Sequence, residues 1–451
     1  MEAKPVTSNP VSGRFKPYPS YKDSGVEWMG DIPETWESAR IKDQFNIVNG
    51  STPSSSEPSF WDGGIVWITP DDLGNTQESK IGDSARKITE EGYESCGTSL
   101  VPEGSIVVST RAPIGYIAVA AVVLCTNQGC KSLIPKRVFS DTFFYYQLIA
   151  VKREMETRGE GSTFKEISKE KLGSIVITIP PVSEQSEIAS FLDRETAKID
   201  VLIEKKERLI ELLQEKRTAL ITQAVTKGLD PDVPMKDSGV EWLGKIPTHW
   251  NAKINKKLFK ESDARSDLGD EELLTVSHIS GVTRHSEKNV TMIEAESYED
   301  YKICRQGELA INTMWAWMGA LGITKEDGMV SPSYNVYLII NRSLQPRYYD
   351  YLSRIPLHVA ELTKHSKGIW KSRLRLYPDG FFKIHTPIPP RDEQELIADQ
   401  LDRSAHKIAA LLMTIKHALE NLKEYRTALI SAAVTGKIDV REARVSSPAP
   451  Y

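Results

Sequence analysis

Long apolar runs are absent from this 451-residue chain, since no stretch approaches the roughly 18 consecutive apolar residues of a membrane-spanning helix. No apolar segment follows the first lysine, so a secretory signal is not indicated and a cytoplasmic location is the expectation. Cysteine is scarce, with Cys96, Cys125, Cys130 and Cys304 as the whole set. They form no pair of C-x2-C motifs, so neither a structural zinc site nor a disulfide framework is predicted.

Catalytic motifs are scarce as well. The sequence has no H-E-x-x-H, no G-x-G-x-x-G and no G-x4-G-K-[ST]. One nuclease-like pattern remains, because Pro70-Asp71 precedes Glu78-Ser79-Lys80 and spells PD…E-x-K, a motif that can hold Mg²⁺. Only six residues separate its halves, and residues 70–72 can equally begin a turn or cap a short helix. We predict no catalytic residues, no metal and no cofactor.

An excess of positive charge is also missing. The chain has 57 basic and 62 acidic side chains, a formal net charge of −5, so any binding to nucleic acid needs local basic clusters. Hydrophobic residues at 40% and charged residues at 26% are typical of a soluble globular chain, and the length predicts two or three domains.

What the sequence does contain is an internal duplication. Residues 22–36 and 236–250, KDSGVEWMGDIPETW and KDSGVEWLGKIPTHW, are identical at 11 of 15 positions. An I-P-P-x-x-E-Q segment and an R-T-A-L-I segment are each used twice as well. The parts between them diverge. The pattern predicts two units with one scaffold and different surfaces.

The divergent parts predict strand-rich domains. SIVVSTRAPIGYIAVAAVVLCTNQGCKSLIP in the first half, and LAINTMWAWMGALGIT with MVSPSYNVYLII in the second, alternate apolar runs with turn residues. We therefore predict an α+β protein, in which two similar strand-rich α/β domains are joined by two long helices that form an antiparallel coiled coil. The predicted boundaries are a flexible tail at 1–20, the first domain at 21–180, a central helix at 181–228, the second domain at 229–389, a C-terminal helix at 390–438 and a flexible tail at 439–451.

Each I-P-P turn is followed by apolar residues in steps of four and three. Neither segment has proline or glycine before Gly228 or Gly436, so each predicts a helix of roughly 40 residues, about 60 Å long. One such helix could lie on its own domain, but two matching seams favour mutual antiparallel packing. The predicted seam residues are Ile188, Leu192, Ile199, Leu202, Leu209, Leu213 and Leu220 in the first helix, with Ile203 and Ile210 widening the stripe, and Ile397, Leu401, Ile408, Leu411, Ile415, Leu422 and Leu429 in the second.

Taken together, these motifs resemble the specificity (S) subunit of Type I restriction-modification enzymes. The resemblance rests on the duplicated opening motif, on residues 50–53, 67–73 and 127–129, and on the repeated IPP and RTALI segments. It implies two target-recognition domains that read an asymmetric bipartite target in double-stranded DNA, and no catalytic activity. It also implies docking of two methyltransferase (M) subunits, with restriction (R) subunits bound through them. The second domain keeps the family pattern less clearly, with residues 274–279 standing where the first has 67–73.

Candidate DNA contacts lie on loops rich in basic, hydroxyl or amide side chains. Phosphates are bound by Arg, Lys, Ser and Thr, and bases are read by Arg, Lys, Asn and Gln. Such loops can also be merely solvated, and the amides of residues 127–128 could simply satisfy a turn. The densest positive cluster, residues 367–375, is the first choice. The candidates are Thr110, Arg111, Asn127, Gln128, Lys131, Arg158, Ser162, Thr163 and Lys165 in the first domain, and Lys367, Trp370, Lys371, Ser372, Arg373 and Arg375 in the second.

A coiled-coil adaptor that joins two proteins without touching DNA is the alternative function, and a Mg-dependent nuclease is a more remote one. The acidic net charge favours the adaptor. An adaptor, however, gives no reason for duplicated domains whose surfaces diverge.

Overall fold

The structure, a computed structural model, describes residues 14–441 apart from 77, 112, 162–164 and 288–296, and it describes only the main chain of Lys371. The chain divides into two compact units, Met1–Lys206 with His417–Tyr451 and Glu207–Lys416. Each long helix therefore contributes one part to each unit. None of the described helices is long and apolar enough to cross a membrane.

The first unit is built on antiparallel pairing with two short parallel contacts. Its strands are β1 (Tyr21–Asp23), β2 (Asp31–Pro33), β3 (Glu37–Arg40), β4 (Phe45–Asn49), β5 (Trp61–Ile68), β6 (Lys80–Ile81), β7 (Lys87–Ile88), β8 (Ile106–Ser109), β9 (Ile117–Ala120), β10 (Cys125–Thr126), β11 (Cys130–Pro135) and β12 (Val176–Ile179). Its short helices are α1 (Ile41–Gln44), α2 (Pro70–Asn75), α3 (Glu90–Glu94), α4 (Asp141–Ala150), α5 (Lys152–Arg158) and α6 (Lys169–Ser174), and the central helix is α7 (Val182–Lys227).

The second unit repeats this plan. Its strands are β13 (Met235–Asp237), β14 (Lys245–Pro247), β15 (Asn251–Ile254), β16 (Phe259–Ser262), β17 (Leu274–Ser277), β18 (Gly281–Arg284), β19 (Lys302–Cys304), β20 (Leu309–Ile311), β21 (Leu321–Ile323), β22 (Gly328–Val330), β23 (Asn335–Ile339) and β24 (His385–Ile388). Its helices are α8 (Pro346–Ser353), α9 (Pro356–Lys364), α10 (Pro378–Phe381) and α11 (Arg391–Val434).

Corresponding strands pair in the same way in the two units. The duplicated opening motif forms the hairpin β1–β2 in one and β13–β14 in the other, and β3–β12 corresponds to β15–β24. The order β4-β11-β8-β9 in the first main sheet matches β16-β23-β20-β21 in the second. Strand β8 is buried on both faces, since Ile106 and Val108 join one hydrophobic cluster and Val107 another. Burial on both faces accounts for its continuous apolar run.

Within each unit the two long helices pack side by side with opposite directions. In the first unit, Ile188 and Leu192 near the start of α7 share one hydrophobic core with Leu429 near the end of α11. In the second unit, Val225 near the end of α7 shares a core with Ile397 near the start of α11. The α+β fold with two α/β domains and two long antiparallel helices agrees with the sequence prediction.

The sequence placed part of the seam one residue away from its position in the structure. Leu202, Leu209, Leu220 and Leu411 were predicted seam residues, yet their side chains are 47, 42, 41 and 45% exposed. Ile203 and Ile210, which the sequence analysis added to the stripe, are half-buried, and so are Ile221 and Leu412. Both stripes are equally apolar, so only packing selects between them. Of the other predicted seam residues, Ile188, Leu192, Ile199, Ile397, Leu401, Ile415 and Leu429 are buried and Leu213, Ile408 and Leu422 are half-buried.

Parts of both predicted tails pack against the first unit. Tyr18 is 5% exposed, and its hydroxyl donates to the carboxylate of Glu184 on α7. The main-chain N–H of Asp439 donates to the carbonyl of Lys16 at 2.8 Å, and Val440 is buried. Buried apolar and aromatic side chains hold residues 14–20 and 439–440 in place, so the flexible tails predicted at 1–20 and 439–451 are wrong for these residues. Residues 1–13 and 442–451 lie outside the described part of the chain.

Candidate nucleic-acid interface

A polar recess of about 350 Å³ opens on the first domain, and three separate segments form it. Strands β5 and β10 are parallel neighbours, with Trp67 beside Cys125 and Ile68 beside Thr126, so the residues after both strands leave the sheet at the same edge. Strand β8 ends beside the start of β11, which brings Arg111 to the same place. The lining residues are Thr69, Pro70, Asp71, Arg111, Asn127, Gln128 and Gly129.

The PD segment begins helix α2 through a capping box. Thr69 is the N-cap residue, and its main-chain N–H and hydroxyl donate to the Asp72 carboxylate at 2.8 and 2.6 Å. The other oxygen of Asp72 accepts the N–H of Ala85 at 2.8 Å. Asp72 is therefore used in capping, as the structural reading of this motif predicts, while Asp71 lines the recess. Among the described residues, no group of three or more His, Cys, Asp or Glu is placed to hold a metal ion.

Both side-chain amides of the recess use their oxygen atoms internally. The Oδ1 atom of Asn127 accepts the main-chain N–H of Gly129 at 2.9 Å, and the Oε1 atom of Gln128 accepts the hydroxyl of Thr52. Each amide therefore keeps its NH₂ group as a donor. Gly129 is required for close packing, since a Cβ atom there would lie 2.9 Å from the Cγ atom of Pro70.

Two predicted DNA contacts lie inside the first domain rather than on its surface. Thr110 is fully buried and Lys131 is 6% exposed, and the Lys131 amine donates to the Thr110 hydroxyl at 3.2 Å. The carboxylate of Glu166 lies 3.9 Å from the same amine. Burial lowers the pKa of Lys131. As placed here, neither side chain can reach DNA, so the structure contradicts these two predictions; it shows instead a buried polar pair beside the 160–166 loop.

The remaining first-domain candidates have different surroundings. Arg158 is half-buried and donates to the hydroxyl of Ser174 at 3.0 Å and to the Glu154 carboxylate at 3.4 Å, which joins α5 to α6. The Arg158 guanidinium therefore already has two partners within the domain, so it is a less favourable candidate for a DNA contact than an exposed arginine. Lys165 is exposed on the loop. Ser162 and Thr163 lie outside the described residues.

The basic loop of the second domain, residues 367–375, is closed at its base like a hairpin. Lys367 and Arg375 exchange main-chain hydrogen bonds, both at 2.9 Å, at the base of the loop. The Lys367 amine pairs with the Asp379 carboxylate at 2.8 Å. At the tip, Ile369 is 95% and Trp370 68% exposed. Ser372, Arg373 and Arg375 are exposed as well, and the Lys371 side chain lies outside the described part.

This loop corresponds in position to the 160–166 loop of the first domain. There, Glu160 and Glu166 form the base, and the N–H of Ile167 donates to the carbonyl of Thr110 at 2.9 Å. In the second domain the N–H of Leu376 donates to the carbonyl of Thr313 at 3.1 Å. The same scaffold position therefore carries acidic residues at the loop base in one domain and basic residues in the other.

Two further exposed features were not predicted from the sequence as candidate contacts. The guanidinium of Arg86 lies over the ring of Trp61 at 3.7 Å, and that ring contacts Trp67 in an edge-to-face arrangement at 5.2 Å. Ring stacking holds an exposed cation in a restricted position. In the second domain, Trp315 is 50% exposed two residues beyond Thr313. Because Trp61 and Arg86 are 25 positions apart, no local pattern in the sequence indicates their contact.

The first half of the chain is similar to known proteins. Residues 33–212 match the family model described as Type I restriction modification DNA specificity domain. The MjaIX specificity subunit of a Type I restriction enzyme from Methanocaldococcus jannaschii is 35% identical over 204 residues, 45% of this chain and 46% of that protein. A second specificity subunit from that organism, described as putative and named MjaX, is 29% identical over 46% of each chain. These alignments span just under half of each relative's length.

Other similarities extend over nearly the whole chain. The EcoBI specificity subunit from Escherichia coli is 22% identical over 92% of this chain and 89% of that protein. A chain solved in work on "complex assembly and conformational transition of the type I R-M system" has a TM-score of 0.61 and 16% identity, and covers 89% of this chain and 98% of its own length. The HsdS subunit from Thermoanaerobacter tengcongensis has a TM-score of 0.51 and 14% identity, with coverage of 90 and 98%.

At these identities the two solved structures show a shared fold. The family model adds the sequence relationship. The resemblance to Type I specificity subunits that the sequence predicts is confirmed, and residues 33–212 are the part of the chain that matches the Type I restriction modification DNA specificity domain.

Proposed function

We propose that this chain is the non-catalytic DNA-recognition subunit of a Type I restriction-modification complex, and that each domain reads one half of an asymmetric bipartite target. The observation that carries the proposal is the corresponding loop pair on the repeated scaffold. One position has Glu160 and Glu166 at its base, and the other has Lys367 and Arg375. Domains with one fold and different loop chemistry suit two different half-sites.

The second domain contacts DNA through the 367–375 loop. Arg373 and Arg375 are exposed and bind phosphates or bases, and the adjacent Trp370 covers apolar edges such as thymine methyl groups. The first domain uses its polar recess, with Arg86 as a further candidate contact because its stacked guanidinium is exposed. The net charge of −5 makes such local clusters necessary, since the chain as a whole repels phosphate.

The long helices act as a spacer and as the docking surface for two M subunits. A helix of 46 residues extends about 69 Å at 1.5 Å per residue, which suits a fixed separation between half-sites. Exposed leucines on α7 outside the seam, Leu202 in the first unit and Leu209, Leu212 and Leu220 in the second, suit burial by a partner. R subunits join through the M subunits.

Methylome sequencing of a host with and without this gene tests the function. Loss of a bipartite methylated motif on deletion is the expected result. Exchange of residues 37–178 for those of a relative should then change one half-site and leave the other unaltered. An adaptor that does not touch DNA predicts an unchanged methylome, and binding of defined duplexes without sequence preference when the M subunits are present.

A further inference from the structure

The recess of the first domain presents donors and one carboxylate acceptor in the same space. Arg111 brings a guanidinium, and Asn127 and Gln128 bring NH₂ groups whose partner oxygens already accept internal hydrogen bonds. Asp71 brings a carboxylate, which is acceptor-only when ionised. Among the described residues, no hydrogen bond or ion pair to the Asp71 side chain is formed, and the residue is exposed.

A carboxylate on a DNA-facing surface is unfavourable unless it meets a donor, because every phosphate near it is negatively charged. The donors that bases present in the major groove are the exocyclic amines of cytosine and adenine. A G·C pair presents the guanine N7 and O6 acceptors beside the cytosine N4 amine. This order matches a guanidinium that donates next to a carboxylate that accepts, and Arg to guanine is the commonest specific contact.

We propose that Asp71 and Arg111 together read one G·C pair of the first half-site, with Asp71 accepting from the cytosine amine and Arg111 donating to guanine. Asp71 is then a specificity-determining residue in the position where the sequence suggested a nuclease motif. Asn127 and Gln128 donate to acceptor atoms of the neighbouring bases. The assignment rests on the proposed function, since it requires the first domain to bind DNA.

The test uses the chain in complex with its M subunits and duplexes that carry each of the four bases at every position of the first half-site. Asp71→Asn replaces the acceptor by an amide that also donates, and Asp71→Ala removes it. Glu103→Gln is the matched control, because it removes the same single negative charge as Asp71→Asn. Glu103 is exposed in the same domain and does not line the recess. Thermal unfolding establishes that all variants fold.

Both Asp71 variants should lose discrimination at one G·C position, on the order of tenfold in methylation rate, and keep the second half-site unchanged. Replacing that cytosine by 2-pyrimidinone, which lacks the amine, should reduce the wild-type rate by a similar factor and the Asp71→Ala rate little further. Unaltered preference at every position in both variants would overturn the assignment of Asp71. A wild-type complex that methylates without any bipartite preference would instead refute the proposed function.

Discussion

The phenolic hydroxyl of Tyr348 donates a hydrogen bond to the main-chain carbonyl of Val225 at 2.8 Å, and this bond fastens the end of α7 to the second domain. In the first unit, the hydroxyl of Thr178 donates to the carbonyl of Val434, which occupies the corresponding position in α11. Carbonyls in the last turn of a helix lack partners within the helix. Each unit thus supplies a hydroxyl donor for a carbonyl in the last turn of a long helix, from Tyr348 in the second unit and from Thr178 in the first.

Tyr348→Phe should destabilise the second unit by about 1–3 kcal/mol, because the Val225 carbonyl is left buried without its donor. Tyr348 is fully buried, so no water replaces the lost hydroxyl. Urea unfolding followed by circular dichroism measures the change. Tyr377→Phe is the control, because Tyr377 is 46% exposed. The free energy of unfolding of this variant should stay within about 0.5 kcal/mol of the wild-type value. Equal stability of the two variants would contradict the role of this bond.

The seam on α7 can be tested with adjacent residues. Ile210→Ala should destabilise the chain by roughly 1–2 kcal/mol because Ile210 is half-buried, whereas Leu209→Ala should cost less than about 0.5 kcal/mol. If the exposed leucines bind an M subunit, Leu209→Ala should instead weaken the binding of the M subunit to this chain. Calorimetric titration with the M subunit separates the two effects. If Leu209→Ala lowered the folding stability more than Ile210→Ala, the seam would run through Leu209, as the sequence predicted.

The spacer role predicts a length dependence. Duplicating residues 203–209 in α7 and 408–414 in α11 adds one heptad to each helix and keeps the seam in phase. Each helix grows by about 10.5 Å, close to three base-pair steps of roughly 3.4 Å. The unmethylated spacer of the target should lengthen by about three base pairs, as read by methylome sequencing. The same duplication in α7 alone provides the control, and it should impair assembly rather than give a new spacer.

Arg373→Ala combined with Arg375→Ala tests the loop of the second domain. Each lost phosphate contact should reduce the slope of log K against log salt by about 0.9, whereas a lost base contact should cost ~1–3 kcal/mol at one position. Binding of a target duplex at several salt concentrations distinguishes these outcomes. Lys256→Ala with Lys257→Ala removes the same charge from an exposed site elsewhere in the unit. Identical salt slopes for the two double variants would mean that the loop is merely solvated.

His358 predicts a pH dependence of stability. Burial lowers its pKa from 6.5 to about 4, and its Nε2 atom has no hydrogen-bond partner. Between these pH values the unfolded chain binds more protons at this residue, so the free energy of unfolding falls as pH decreases from about 6.5 to 4, by about 3 kcal/mol for this one group. Urea unfolding at pH 7 and pH 4.5 should show a smaller loss for His358→Gln than for wild type. Parallel losses would exclude this assignment.

Local patterns account for what the sequence predicted well. The duplication and the uninterrupted heptads predict two related units and helices at 181–228 and 390–438, and the structure has them at Val182–Lys227 and Arg391–Val434. The phase of the seam could not be predicted, because Leu202 and Ile203 are equally apolar and only the partner surface selects between them. Tyr18 and Val440 were taken for tail residues, since their burial depends on segments far away in the chain.

The sequence by itself determined the repeated scaffold, because identical motifs form the same local structure twice and a 3.5-residue apolar period specifies a helix from local spacing alone. It also named Arg111, Asn127 and Gln128 as candidates for DNA contact. Only the tertiary structure decided which side chains share a surface, because the parallel pairing of β5 with β10 joins residues almost 60 positions apart. That pairing placed Asp71 and Asn127 in one recess, and the pairing of β8 with β11 brought Arg111 to the same recess while Thr110 and Lys131 became buried.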